Sequence, residues 1–162
     1  MDDRSFRNAM GQFVTGVTVI TTNVGDETHG MTANAFLSVS LNPKLVLVSI
    51  GEKAKMLQKI KDAGHYAVNF LAEDQQEISM LFAGQIKDGR SVDFEWLNGM
   101  PVIPGAIGRI TCQVVNEHVV GDHTLFVGEV TGIELNDGAP LIYFQGKYRE
   151  LASMNENETL RI

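Results

Sequence analysis

The chain has 162 residues, 44% of them apolar, and 13 Lys and Arg against 20 Asp and Glu give a net charge of −7. That length is one domain's worth and enough for a packed core, while the acidic balance and the scattered Lys and Arg exclude a nucleic-acid binder, which needs a basic surface against phosphate. No apolar run reaches the roughly 18 residues of a membrane span, and the opening Met1-Asp2-Asp3-Arg4 has no apolar signal core, so the expected location is the cytoplasm, away from any membrane.

Asp3 is expected to cap a short helix running through Gln12, with Phe6, Ala9 and Met10 on one face. Phe13 to Thr22 is rich in β-branched residues and reads as one strand, with Gly16 marking a bulge or a close backbone approach. Asn23-Val24-Gly25-Asp26 reads as a turn. From Met31 to Leu41 the odd positions are apolar, while the even ones are Thr32, Asn34, Phe36, Ser38 and Ser40. That period of two predicts a second strand. Asn42-Pro43 supplies a turn, and Leu45 to Ile50 reads as a strand buried on both faces and closed by Gly51.

Glu52 to Asp62 has Met56, Leu57 and Ile60 at helical spacing, with Gly64 placed to end the helix. Tyr66 to Leu71 is a strand, and Asp74 with Glu77 forms a capping box for a helix carrying Ile78, Leu81 and Phe82, ended by Gly84. Gln85 to Gly108 reads as a long loop, of the kind that covers a site or a partner. Arg109 to Val120 and His123 to Leu135 read as two long strands joined by a Gly121-Asp122 hairpin turn. Asp137-Gly138 makes another turn before a strand from Leu141 that continues through Tyr143-Phe144-Gln145-Gly146, and the polar tail after Ala152 is expected to fray. Strands joined by hairpins and outnumbering helices imply a mainly β, antiparallel barrel or sandwich with a few peripheral helices.

Two anomalies bear on function. The polar positions of Met31 to Leu41 carry hydroxyls and an amide but no charge, which suits either a half-solvated sheet face or a flat heterocycle with several carbonyls and ring nitrogens. Lys53 and Lys55 fall at the start of a helix, where the dipole disfavours cations, which suits either two solvated lysines or a bound anion. Cys112 is the single cysteine and alternates with Ile110 and Val114, so it reads as a packed core thiol. The four histidines, His29, His65, His118 and His123, share no metal-ligand spacing. With no phosphate-loop, zinc or nucleophile-elbow motif, what remains suits holding a cofactor that does its own chemistry.

The runs Phe13-Val14-Thr15-Gly16-Val17-Thr18, Gly30-Met31-Thr32-Ala33-Asn34-Ala35-Phe36, Ser38-Val39-Ser40-Leu41-Asn42-Pro43, Phe82-Ala83-Gly84, Gly121-Asp122-His123-Thr124-Leu125-Phe126 and Gly146-Lys147-Tyr148 resemble the short-chain flavin reductases, the reductase components of two-component flavin monooxygenases. The chain is particularly similar to the reductase partners of phenol and 4-hydroxyphenylacetate hydroxylases. The resemblance covers Phe6 to about Leu151. It implies an antiparallel split β-barrel of the FMN-binding type over residues 1–152, with 153–162 as a tail. It further implies a homodimer, reduction of FAD or FMN by NADH or NADPH, and transfer of reduced flavin to a separate oxygenase. On this resemblance Met31, Thr32, Ala33 and Asn34 border the isoalloxazine. Ser38, Val39, Ser40, Ser49, Ile50, Gly51, Lys53 and Lys55 serve the ribityl-phosphate and adenosine side, Phe82 and Ala83 lie near the cofactor, and His123 and Tyr148 flank the nicotinamide. A non-enzymatic flavin carrier on the same fold is the competing expectation.

Overall fold

The computed structural model describes residues 1–152; the expected frayed tail lies outside the described residues. In chain order the elements are α1 (Asp3–Met10), β1 (Thr15–Gly16), β2 (Thr18–Val24), β3 (Glu27–Ala33), β4 (Phe36–Leu41), β5 (Lys44–Gly51), α2 (Lys55–Ala63), β6 (His65–Phe70) and α3 (Gln76–Phe82). There follow β7 (Glu95–Leu97), β8 (Met100–Val102), β9 (Gly108–Val120), β10 (His123–Leu135), β11 (Ile142–Phe144) and β12 (Lys147–Arg149). The fold is mainly β, with every strand pair antiparallel.

Seven strands form one sheet in the order β3-β2-β6-β9-β10-β5-β4. Its two edge strands, β3 and β4, are neighbours in sequence, separated by Asn34 and Ala35 alone. Laid flat, seven strands at about 4.8 Å spacing would hold those edges about 29 Å apart. The three Cα steps from Ala33 to Phe36 reach at most about 11 Å. The sheet therefore curls until its edges meet, and the Ser49 N–H donates to the Ala35 carbonyl at 3.1 Å to fasten the link to β5. Ile20, Val48, Ile50, Tyr66, Val68, Cys112 and Phe126 fill the inside of the curl.

The expected strand from Met31 to Leu41 is thus two strands on opposite edges, and its polar positions do not share a face. The reversal is local: the Phe36 N–H donates to the Asn34 carbonyl at 2.9 Å. Phe13 to Thr22 is likewise broken, because Val17 gives its N–H to Leu141 (3.1 Å) and its carbonyl to Leu71 (3.0 Å) while the chain passes from one sheet to another. β1 pairs with β11 and β2 with β3 and β6. Gly16 makes no close approach, since the space where a Cβ would stand is open. β2 continues through Val24, so the following turn is only Gly25-Asp26. β5 is not buried on both faces: Val46, Val48 and Ile50 enter the core, while Leu47 and Ser49 face the other way, half-buried.

Helix starts also differ from the sequence reading. Asp2, not Asp3, caps α1, its Oδ1 accepting the Ser5 N–H at 2.8 Å. α2 begins at Lys55 behind an Ala54 cap that has no side-chain hydrogen bond, so Lys53 precedes the helix. The Asp74–Glu77 box is absent: Gln75 Oε1 accepts the Ala72 N–H (3.0 Å) and Glu77 pairs with Arg90 (2.9 Å). Gly64 does end α2, at φ 71° in the left-handed region. The expected loop at Gln85 to Gly108 contains the β7–β8 hairpin, with Met100 and Val102 buried against Ala67. Three-residue strands are too short to show a period. Tyr143 and Phe144 end β11, and Gln145-Gly146 form a two-residue hairpin turn to β12 rather than continuing strand, both at positive φ (50° and 74°), as such a turn between twisted strands demands.

Cys112 is fully buried beside Tyr66, and burial pushes its thiol up to about 12. The folded protein thus favours the neutral thiol, a stabilisation present in full below the unfolded value of 9.0 and lost as pH climbs toward about 12. Cys112 should resist an alkylating or disulfide reagent in the native protein at about pH 8 and react promptly in denaturant, because the thiolate is the nucleophile. Reaction at equal rates in both states, followed by absorbance, would contradict this packing.

Candidate ligand cavity

A cavity of ≈ 1400 Å³ lies between α1, the outward face of β4 and β5, and the β11–β12 turn. Its walls are mainly apolar, with an aromatic share: Phe6, Met10 and Phe13 from the N-terminal segment, Phe36, Leu37 and Leu47 from the sheet, and Tyr143 from β11, with Arg7 the charged residue on the α1 side. No residue of α1 is buried, and Phe6 and Met10 are 55% and 56% exposed, so this helix contributes wall and not core. It is held at its C-terminal end, where the Gln145 N–H donates to Gly11 (2.9 Å) and the Gln145 amide to Gln12 (3.0 Å).

Of the residues expected to bind a cofactor, Asn34 and Ser49 line this cavity. Asn34 stands there because it forms the link between the sheet edges, and Ser49 because the alternation of β5 turns it outward. Among the described residues no hydrogen bond takes up the Asn34 amide or the Ser49 hydroxyl. Uncharged, uncommitted donors and acceptors on an apolar, aromatic wall match a flat ring system edged with carbonyls and nitrogens.

The other expected residues sort into two further groups. Gly51 meets His123 at one end of β5 and β10, and Lys53 lies near the adjoining Asp122: a Cβ on Gly51 would lie 3.5 Å from the His123 Nε2, and the Glu52 N–H donates to the Asp122 carbonyl at 2.9 Å. His123 Nδ1 is 2.8 Å from the Asp122 carboxylate. That hydrogen bond first, then the His123 charge, holds the carboxyl below the usual range, with Lys53 adding a smaller pull. Lys55 is exposed in the first turn of α2, which contains no acidic residue.

The remaining group surrounds α3. Thr32 spends its hydroxyl on the Ser79 carbonyl (2.7 Å), and Tyr148 OH lies 2.9 Å from the Ser79 hydroxyl. The Phe82 ring covers Gly30 so closely that a Cβ there would run into it. Ala83 caps α3 and is exposed. Tyr148 stacks edge-on against Tyr143, ring centres 5.3 Å apart. His123 and Tyr148 thus sit on different sheets, each with its own set of neighbours. Met31 and Ala33 pack on the core, and Ile50 is wholly inside it, so its side chain faces no surface. Ser38, Val39 and Ser40 lie on the edge strand β4, whose register slips between Ser38 and Ser40.

Sequence reasoning missed Ser79, Tyr143 and the α1 wall. Ser79 had a signal, a small polar residue beside the apolar stripe of Ile78, Leu81 and Phe82. Among the described residues no helix is long and apolar enough to cross a membrane, and no cluster of His, Cys, Asp and Glu could hold a metal ion.

Residues 10–152 match the family described as flavin reductase like domain. The chain belongs to this family. An NADH-dependent flavin reductase of a Rhodococcus species is 46% identical over 155 residues, covering 94% of this chain and 88% of that protein. The reductase component of 4-hydroxyphenylacetate 3-monooxygenase from Thermus thermophilus is 39% identical over 148 residues, covering 91% and 95%. The solved structure of the flavin reductase PheA2 in its native state superposes with a TM-score of 0.93 at 63% identity, covering 94% of this chain and all of that one. The flavin reductase like domain takes in the cavity wall from Met10 through Tyr143 and Gln145 and leaves Phe6 outside.

Within this domain the contact between Gly30 and Phe82 docks α3 on β3. Gly30→Ala should destabilise the protein by about 1–3 kcal/mol through overpacking, read from urea unfolding. Unchanged stability would mean that α3 is free to retreat from the strand.

Proposed function

We propose that the protein is an NAD(P)H:flavin oxidoreductase that reduces FAD or FMN and supplies the reduced flavin to a separate monooxygenase component acting on a phenolic compound. The observation that carries this reading is the apolar, aromatic cavity with Asn34 and Ser49 uncommitted on its wall, in a chain of the flavin reductase like domain family. The names of its relatives support the reaction and the phenolic partner. Flavin, when bound, would supply the redox chemistry as acceptor of the nicotinamide's hydride. The protein has to bind, orient and keep water out, which explains a site without a strong acid or base.

In this reading Asn34 pairs with the polar edge of the flavin ring, and Phe36, Leu47 and Tyr143 shield it from water. Met31, Thr32 and Ala33 contribute backbone along the same strand end, as Ile50 and Gly51 do at the end of β5. Ser38, Val39, Ser40 and Ser49 serve the ribityl and adenosine side, and Lys53 and Lys55 neutralise phosphate beside the open N–H groups of α2. Phe82 and Ala83 lie near the cofactor, while His123 and Tyr148 face the nicotinamide.

Residues 1–152 then form one split-barrel domain, a reading supported by the curl that joins β3 to β4. A homodimer is supported by the apolar surface left exposed on β4 outside the cavity (Val39, Leu41), each large side chain being worth about 1.5–3 kcal/mol if covered. A reducing, cytoplasmic location goes with a lone unpaired cysteine.

Asn34→Leu should leave a folded protein whose flavin affinity falls about 5- to 150-fold, since a buried ligand group loses its partner at about 1–3 kcal/mol. A fluorescence titration showing wild-type affinity would remove Asn34 from the site. Changing both Lys53 and Lys55 to Gln should weaken FAD and FMN much more than riboflavin, which has no phosphate. An equal loss for all three flavins would rule out the phosphate role. NADH and NADPH oxidation with each flavin tests the reaction itself: turnover is expected, and a protein that binds flavin yet reduces it with neither nucleotide is a carrier.

A further inference from the structure

Ser79 is fully buried within α3, yet its polar atoms reach two other elements. Its hydroxyl lies 2.9 Å from the Tyr148 OH on β12. Its carbonyl accepts the Thr32 hydroxyl of β3 at 2.7 Å, in addition to the helical Ala83 N–H at 2.9 Å. One residue thereby ties an edge of the seven-stranded sheet to the small sheet β1-β11-β12. A serine inside a helix commonly turns its hydroxyl back on the preceding turn; this one leaves its helix instead.

β12 needs such a tie. It has three residues, Lys147–Arg149, pairs with β11 alone and stands at the edge of its sheet. Tyr148 is therefore held by its side chain, through Ser79 on one side and the edge-on Tyr143 ring on the other. α3 cannot slide beneath it, because Phe82, one turn after Ser79, is seated on Gly30 of β3. Two hydrogen bonds in series, Thr32 to Ser79 and Ser79 to Tyr148, fix the phenol relative to the strand end that leads into Asn34.

We infer that Ser79 is a positioning residue for hydride transfer, holding Tyr148 in register with the flavin-facing end of β3. The inference rests on the function proposed above, in which Tyr148 faces the nicotinamide. The hydride, with its electron pair, passes from the nicotinamide to the flavin, and Ser79 neither gives nor takes a proton. Reacting atoms must come within about 3–3.5 Å, and a misplacement of about 1 Å can cost about 100-fold in rate.

The test is stopped-flow reduction of flavin-loaded protein over a range of NADH concentrations, beside a separate flavin titration, for Ser79→Ala, Tyr148→Phe and the double variant. Each single variant removes the same hydrogen bond. Each should slow reduction at saturating NADH by about tenfold or more, the double variant should be no slower than either single one, and flavin affinity should stay at the wild-type value. A residue that merely stabilised the fold would lower the unfolding midpoint without this rate pattern. Wild-type reduction by Ser79→Ala beside a slow Tyr148→Phe overturns the inference and leaves the nicotinamide role of Tyr148 standing, as do multiplying effects in the double variant. Wild-type reduction by Tyr148→Phe overturns both the inference and that role, and a wild-type protein that NADH cannot reduce overturns the function itself. Should Ser79→Ala not fold, Ser79→Cys, whose thiol is a far weaker hydrogen-bonding group, takes its place: slow reduction with intact flavin affinity supports the inference, and wild-type reduction overturns it.

Discussion

The structure depends on a length constraint: two residues, Asn34 and Ala35, must join strands that lie at opposite edges of a seven-strand sheet. No flat or gently twisted sheet satisfies it, because the link is shorter by more than half than the distance it would have to cross. Curling the sheet satisfies it and encloses the apolar faces of β2, β5, β6, β9 and β10 around Tyr66 and Phe126. The same curl decides which polar groups stay outside. Asn34 is left at the seam because the chain turns there, and Ser49 faces the cavity because its neighbours Val48 and Ile50 point inward.

Around this seam the smaller elements act as walls and braces. α1 buries nothing of its own, and among the described residues its hydrogen bonds to the rest of the fold run through Gln145, but it closes one side of the cavity. α3 is clamped on Gly30 by Phe82 and reaches the small sheet through Ser79. The β7–β8 hairpin is braced from below by buried Arg109, which pairs with Glu95 and Glu134, and by Asn69, whose side chain accepts the Ile103 N–H and donates to Val19 and Thr21. The buried charge of Arg109 is thus paired away from the cavity, whose wall is mostly apolar, with Arg7 on the α1 side and uncharged groups at the seam. Such a surface favours a ligand that brings its own redox chemistry.

Much of this was legible in the sequence. β-Branched and apolar runs located β2, β5 and β6, the two long runs flanking Gly121-Asp122 located β9 and β10, and Gly64 marked the end of α2. The uncharged polar positions of Met31 to Leu41 singled out Asn34, and the family resemblance added Ser49; both line the cavity. What alternation could not reveal was the change of strand at Asn34, since the pattern runs unbroken while the chain crosses from β3 to β4. The break at Val17 was hidden in the same way, because its hydrogen bonds go to Leu71 and Leu141, far away in sequence. The α1 cap falls on Asp2 rather than Asp3 because two adjacent aspartates compete for it, and α2 begins at Lys55 rather than Glu52, behind Ala54, which has no capping side chain to mark the start. The contact between Ser79 and Tyr148, 69 residues apart, left no local trace beyond a serine beside an apolar stripe.

In the proposed function the seam at Asn34 and Ala35 builds the flavin site, and a crystal structure of the protein loaded with FAD would show it. The isoalloxazine is expected in the cavity between β5 and α1, with its polar edge within hydrogen-bonding distance of Asn34 and its face against the aromatic wall. A ring bound elsewhere, with Asn34 turned to solvent and the cavity filled by a second copy of the chain, would contradict it.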